Sequence, residues 1–319
     1  MTLPLYFSPI NRLSNWIYRN FLLKHGADFV FSELIMVDRW DKEELNEKFN
    51  FFPEAYEQSE RKGENVSEHD IPKTIFQIGV SSPKEVSFAV NDLVKRIPGI
   101  VEINVNMGCP QSTMQKQSVC SGLLLDPDMM RLISEQLFNS CKENNIVPSV
   151  KIRLGPKEDD VKVKDYLKLL ESAGVKKVYI HARTLRYNYT KPAMIDELSG
   201  LVEEFPNIEL IFNGDVDSFE SYGKLSRLGC AGVMIGRAAL SNPLVFSQIK
   251  KEIPSSVDHF DPFLNDLNII QTKDGRFEMT QKKKELISSF VKFAEKEGMR
   301  KEILQSHLSY LEKGVSKKD

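Results

Sequence analysis

The sequence predicts a (β/α)8 barrel followed by a small helical domain, and three observations predict it. Eight short, mainly apolar runs recur between residues 5 and 235, as parallel strands covered on both faces would. Helical patterns with start and stop signals separate the runs, which is the alternation of an α/β fold. Polar and charged residues gather where the runs end, on what would be one rim of a barrel. A doubly wound open sheet is the alternative arrangement of these units. The count of eight favours closure.

The runs are Leu5–Ser8, Phe29–Ser32, Thr74–Ile78, Ile100–Val105, Ser149–Arg153, Lys177–Ile180, Glu209–Asn213 and Gly232–Ile235. Ser82, Pro83 and Glu85 predict a helix start with an N-cap, a proline at the first helical position and a capping box. Val86, Val90 and Leu93 then form its apolar stripe. Asp126-Pro127 repeats the start signal before Met130, Ile133 and Leu137. Tyr166, Leu169 and Leu170 lead to Gly174, a helix stop. Residues 38–72 are too long for a simple connection and read as a polar insertion, a loop with a helical piece. After Pro243 the rhythm ends. Residues 251–278 are linker-like, and residues 279–319 are helical, with stripes at Leu286, Phe290 and Phe293 and at Ile303, Leu304, Leu308 and Leu311. That tail carries 10 Lys and Arg against 6 Asp and Glu. The expected domains are residues 1–250 and residues 251–319.

Composition excludes several classes. With 41% hydrophobic and 28% charged residues, the 319-residue chain is ordinary globular protein. No apolar run approaches the ~20 residues that span a bilayer, and no signal peptide is legible, so no membrane partner is expected. Cys109, Cys120, Cys141 and Cys230 are scattered, without a C-x-x-C pair. This argues against a structural metal and for a reduced, cytoplasmic setting. A net charge of −2 advertises no global field for nucleic acid, so any basic surface is local.

The run ends carry the chemistry. They present Ser8-Pro9-Ile10, Ser32-Glu33, Gln77, Asn106-Met107-Gly108-Cys109-Pro110, Lys151 with Arg153, His181-Ala182-Arg183-Thr184, Asn213-Gly214-Asp215 and Gly236-Arg237. Buried polar groups cost free energy unless paired, and a polar ligand is the simplest partner. Glycines at the last two ends, each placed before a helix start, let backbone N–H groups approach an anion. Arg237 would add a charge-assisted fork. Together with Lys151 and His181 they predict a phosphorylated cofactor. Cys109 stands in a Gly-Cys-Pro turn, where packing or a reactive thiol are both open.

These motifs resemble the tRNA-dihydrouridine synthases, flavin-dependent barrels of this architecture. The resemblance rests on "NMGCP" (106–110), "VKIRLG" (150–155), "IHARTLRYNYTKPAMID" (180–196), "NGD" (213–215), "GVMIGRAALSNP" (232–243) and, more weakly, "SPINRLSNWIYR" (8–19). It implies reduction of a tRNA uridine to 5,6-dihydrouridine, with FMN as cofactor and NADPH as reductant. It makes Cys109 the general acid. It assigns the cofactor to Ser8, Pro9, Ile10, Gln77, Lys151, His181, Asn213, Gly214, Asp215, Gly236 and Arg237, and the uracil to Asn106 and Arg183. It turns the C-terminal helices into a tRNA-binding domain on a monomer. Two positions depart from the pattern. Ile10 replaces the usual methionine, and "KQSVCSGLLL" (116–125) replaces a glycine- and alanine-rich segment. Cys120 is expected to pack as a small residue, with substitution for Cys109 or a disulfide to it as alternatives. The competing functions are a flavin barrel acting on a free pyrimidine or small enone, and a tRNA-binding module without catalysis.

Overall fold

The computed structural model describes residues 3–39, 71–187, 189–252, 269–271, 277–279 and 281–313. All eight runs are strands: β1 Leu5–Phe7, β2 Phe29–Met36, β3 Thr74–Gly79, β4 Glu102–Asn106, β5 Val147–Arg153, β6 Lys177–His181, β7 Glu209–Asn213 and β8 Gly232–Ile235. They pair in parallel in chain order, and β1 closes on β8 with Leu5 opposite Val233 and Phe7 opposite Ile235. The open-sheet alternative is thereby excluded.

Alternation along each strand sorts side chains between two environments. Ile103 and Val105, like Val150 and Ile152, belong to the large apolar core shared with the surrounding helices. Glu102, Asn104 and Asn106 fall on the opposite face, inside the barrel, and all are buried. The bottom of the interior is filled by Tyr6, Phe31, Ile75, Tyr179, Ile211 and Met234. There Glu102 accepts from Tyr179 Oη at 2.8 Å and pairs with Lys177 at 3.0 Å. Above it lies an amide layer: Gln77 Nε2 donates to Asn104 Oδ1 at 2.8 Å, and Asn104 Nδ2 donates to Ser149 Oγ at 2.9 Å. Buried polar groups thus satisfy one another up to the rim, where a cavity opens.

The described helices are α1 Trp16–Lys24, α2 Pro83–Arg96, α3 Ser112–Lys116, α4 Pro127–Glu143, α5 Val163–Ser172, α6 Leu201–Glu204, α7 Phe219–Ser226, α8 Arg237–Ser241, α9 Val245–Glu252, α10 Gln281–Lys296 and α11 Lys301–Lys313. Asp126 caps α4 by accepting from Met129 N. Ser82 caps α2, accepting from Glu85 N at 3.4 Å. The expected capping box is modified: the Glu85 carboxylate takes the N–H and hydroxyl of Ser81, at 2.7 and 2.8 Å, instead of the Ser82 N–H. Gly174, at φ +87°, ends α5 in a Schellman turn, with Val175 N bonded to Leu170 O and Gly174 N to Glu171 O.

Two expectations shift. Strand β2 does not end at Ser32-Glu33 but runs on to Met36, because a bulge between Phe31 and Leu34 absorbs those residues. Ser32 Oγ then accepts from Gln77 N, and Glu33 reaches back to accept from Arg12 N at 2.7 Å. Of the insertion expected at 38–72, residues 40–70 lie outside the described residues. Its flanks, Val37–Arg39 and Ile71–Lys73, are 3-10 turns. Within the stretch expected as a linker, Ile269–Gln271 (β9) and Phe277–Met279 (β10) pair antiparallel.

The tail helices pack on the barrel through α1 and α8. Phe290 is fully buried, with ring centroids 5.5 Å from Tyr18 and 5.0 Å from Phe21. His307 lies 4.2 Å from the Tyr18 ring and is 1% exposed. Asn15 caps α1 through its Oδ1, which turns its Nδ2 toward His307 Nε2 at 3.0 Å. An amide N–H only donates, so His307 must accept there and is neutral. Burial holds its pKa down at about 3. The unfolded chain, with a histidine near 6.5, takes up the proton first as pH falls. This contribution to stability is therefore complete above about pH 6.5 and drains away between there and about pH 3. Replacing His307 with Gln is expected to flatten the fall in unfolding free energy between pH 6.5 and 4.5 by up to about 1.4 kcal/mol per pH unit. Denaturant titrations across that range measure it, and equal slopes for both proteins would refute the assignment.

Candidate active site

A cavity of about 700 Å³ opens at the C-terminal ends of the strands. Its size is that of a binding site for a cofactor or a substrate of moderate mass. Of the fourteen residues expected at the site, all but Gly214 line it. A side chain on Gly214 would meet Ala193 at 2.9 Å and Ala182 at 3.2 Å, so this glycine leaves room for the loop that follows β6. Gly236 does face the cavity. A Cβ there would lie 3.5 Å from Ser8 Cβ, closing part of the floor between β8 and β1.

The cysteine turn leaves β4 at Asn106. Its Oδ1 accepts the backbone N–H groups of Gly108 and Cys109, each at 3.0 Å, and its Nδ2 donates to Gln77 Oε1 at 2.8 Å. Asn106 thus spends its amide on shaping the turn and tying it to the amide layer. From β5, Arg153 Nε donates to Gly108 O at 2.9 Å. Cys109 is half-buried at the cavity wall, whereas the other three cysteines are buried, and all four are free thiols. Cys120 has no exposed surface, sits at φ +50°, and packs its sulfur against Gly79, where a Cβ would be only 3.2 Å away. Burial pushes its thiol far up, so it behaves as a small core residue.

Cations outnumber carboxylates around the cavity. Lys151, Arg153, Arg183, Lys191 and Arg237 line it against Asp215 and Asp217. Lys151 has no hydrogen-bond or ion-pair partner among the described residues. Burial, and secondarily Arg153, pushes its ammonium down to about 7. An anionic ligand would restore its charge. His181 is held neutral by burial and by Arg153, Lys151, Arg183 and Arg237 around it. Arg183 Nη1 lies 3.2 Å from His181 Nε2. A guanidinium only donates, so Nε2 accepts and Nδ1 carries the proton.

Arg183 and Arg237 meet at Asp215. Arg183 Nη2 reaches both carboxylate oxygens, at 2.8 and 2.6 Å, and the carbonyl of Lys191 at 2.7 Å. Arg237 Nη2 donates to Asp215 Oδ1 at 2.9 Å, and Ala193 N to Oδ2 at 2.8 Å. Arg183, expected on the uracil side, is 1% exposed and engaged by protein on three sides. Asp215 takes the left-handed φ of +48° that this clamp requires. The helix start expected directly after "NGD" is displaced: α7 begins at Phe219 under a Ser218 cap. Only the Gly236-Arg237 end runs straight into a helix.

Two lining residues were given no role by the sequence, Arg153, named there only as a polar strand end, and Tyr189. The Tyr189 ring lies 4.4 Å from the Arg237 guanidinium carbon, 5.3 Å from that of Arg183 and 5.7 Å from that of Arg153, and stacks on His181 at 5.8 Å. It is a plate on which three guanidiniums converge. Arg153 sits two residues after Lys151, on the same strand face, where the sequence had placed it without a task. Tyr189 lies in an irregular loop, where no periodicity points to it.

Residues 6–318 match the family model of dihydrouridine synthases (Dus). Curated proteins are similar over most of the chain. The probable tRNA-dihydrouridine synthase of Aquifex aeolicus is 27% identical over 247 residues, 77% of this chain and 72% of that protein. The tRNA-dihydrouridine synthase B of Pasteurella multocida is 25% identical over 264 residues, 82% and 73% of the two chains. Among solved structures, DHODH from Eimeria tenella in complex with ferulenol superposes with a TM-score of 0.54 at 15% identity, covering 78% of this chain and 80% of that one. This last likeness is one of fold.

Proposed function

Since the chain belongs to the dihydrouridine synthase family of oxidoreductases, we propose that it reduces a uridine of tRNA to 5,6-dihydrouridine with FMN and NADPH, Cys109 donating the proton. One observation carries the reading: a half-buried thiol stands on the wall of a cation-rich cavity that gathers thirteen of fourteen expected site residues.

The residues present fit a flavin phosphate. Lys151 is an unpartnered cation in the cavity, Gly236 leaves a cradle that a Cβ would fill, and Arg237 stands beside it. Ser8, Pro9, Ile10, Gln77, Lys151, His181, Asn213, Gly214, Asp215, Gly236 and Arg237 would hold the cofactor. When bound, the flavin supplies a hydride to C6 of the uracil, and NADPH restores it.

Cys109 transfers its proton to C5, which completes saturation of the C5–C6 bond. The sulfur left as thiolate lies within electrostatic reach of Lys151 and Arg153. A thiol suits this task because its S–H can be given up to a reacting carbon held beside it. Asn106 fixes the turn that carries it, and Arg183 closes the uracil side of the wall. The target nucleotide must leave its stack to reach so deep a site. Residues 1–250 form the catalytic unit. Residues 251–319 hold the tRNA, with the local excess of positive charge in residues 279–319, and the chain works as a monomer in the cytoplasm.

The test is direct. Purified protein reconstituted with FMN is expected to be yellow. With NADPH it should convert one uridine position in tRNA from cells lacking the gene, read by dihydrouridine mapping. A colourless protein after reconstitution, or no changed position, would refute the proposal.

A further inference from the structure

We infer that Arg153 is the positioning residue of the Cys109 turn, and that it locks this turn to the loop after β6. The inference rests on the proposed role of Cys109. Its basis is the peptide unit between Gly108 and Cys109, which is held at both ends. The N–H of Cys109 goes to Asn106 Oδ1 at 3.0 Å, and the C=O of Gly108 accepts from Arg153 Nε at 2.9 Å. With both polar groups of one peptide pinned, the plane that sets the Cys109 Cα is fixed. The turn lies directly on β5: a Cβ on Gly108 would come within 3.2 Å of the Ile152 carbonyl carbon and 3.4 Å of Arg153 Cγ.

The rest of the guanidinium reaches the other wall. Nη1 donates to Thr184 O at 2.8 Å, and Nη2 to Tyr189 Oη at 3.2 Å. Its three nitrogens thus join two chain segments, the cysteine turn at Gly108 and the loop after β6 at Thr184 and Tyr189. Tyr189 in turn stacks on His181 and lies against Arg183 and Arg237. The thiol on one wall and the cation cluster on the other therefore share one rigid connection. Arg153 is 2% exposed and its nitrogens are engaged by protein, so it acts through the turn. Only a planar fork serves three acceptors in this way; a lysine ammonium at the same place is a single point on a flexible stem.

The test uses the FMN-loaded full chain with Arg153→Met and Arg153→Lys. Flavin reduction by NADPH and reoxidation of reduced flavin by tRNA under anaerobic conditions are measured separately. Both variants are expected to slow the tRNA step by about 100-fold, with the NADPH step and the KM for tRNA little changed. Millimolar guanidinium is expected to restore part of the tRNA step in Arg153→Ala. Hydrogen exchange supplies a readout without activity. The amides of Gly108 and Cys109 should exchange faster in Arg153→Met, while those of Ile103 to Val105 keep their protection. An unaltered tRNA step, full activity in Arg153→Lys, or faster exchange throughout the barrel would each overturn the inference. If the wild-type protein reduces no tRNA uridine, the proposed function fails, and the exchange experiment still decides whether Arg153 holds the turn.

Discussion

Replacing Cys109 with Ala is expected to slow tRNA uridine reduction by about 100- to 10,000-fold, the range that a positioned general acid supplies. Bound flavin should be retained, because no side chain of the cation cluster is held by a hydrogen bond to the sulfur among the described residues. Arg153 bonds the Gly108 carbonyl, and Asn106 bonds backbone N–H groups, so the turn keeps its anchors without the thiol. Cys120 cannot take over, since it is fully buried and burial holds its proton on. The double variant Cys109→Ala/Cys120→Ala should then be no slower than Cys109→Ala alone. Single-turnover reoxidation of reduced flavin by tRNA measures both. A rate unaffected by loss of Cys109, or a loss that appears only in the double variant, would remove Cys109 from the role.

Asp215→Ala is expected to cost about 1 to 3 kcal/mol of folding stability, less than breaking a fully buried ion pair, because the Asp215 side chain is itself 33% exposed. The reason lies in Arg183, which is 1% exposed and meets both Asp215 oxygens. Without the carboxylate its charge stays buried, with only the Lys191 carbonyl and the neutral His181 ring as partners. Arg237, the other arginine on Asp215, is 28% exposed and can turn to water. Adding Arg183→Met should recover much of the loss, because an apolar side chain carries no charge to strand. Urea unfolding at pH 7 of the two single variants and the double closes the cycle. A cost below about 1 kcal/mol for Asp215→Ala, or a double variant equal to the sum of the singles, would contradict the pairing.

Most of the candidate site was legible before any fold was known. Strand ends are local features, and a polar residue at the end of an apolar run announces itself. Lys151, His181, Asn213 and Cys109 were found this way, and the structure brings them to one cavity. What each polar group bonds to was not legible. Asn106 bonds the cysteine turn through its amide, and Arg183 reaches Asp215, 32 residues away. That the missing side chain of Gly214 makes room for Ala193 was not legible either. The β2 bulge was missed because Ser32-Glu33 looks like any polar strand end. Only pairing with β3 shows the strand continuing.

The sequence by itself determined the eight strands, their closure, most of the helix stops and starts, and the presence of a cysteine turn among cationic strand ends. Each is set by periodicity or by residues a few positions apart, which act through short-range sterics and burial. Tertiary structure alone decided the connections. Arg153 meets Gly108 across 45 residues and Tyr189 across 36. His307 meets Asn15 across 292 and seats the tail against α1. Such bonds depend on where closure of the barrel carries each segment. A buried donor takes the acceptor that packing places beside it, whatever the distance along the chain.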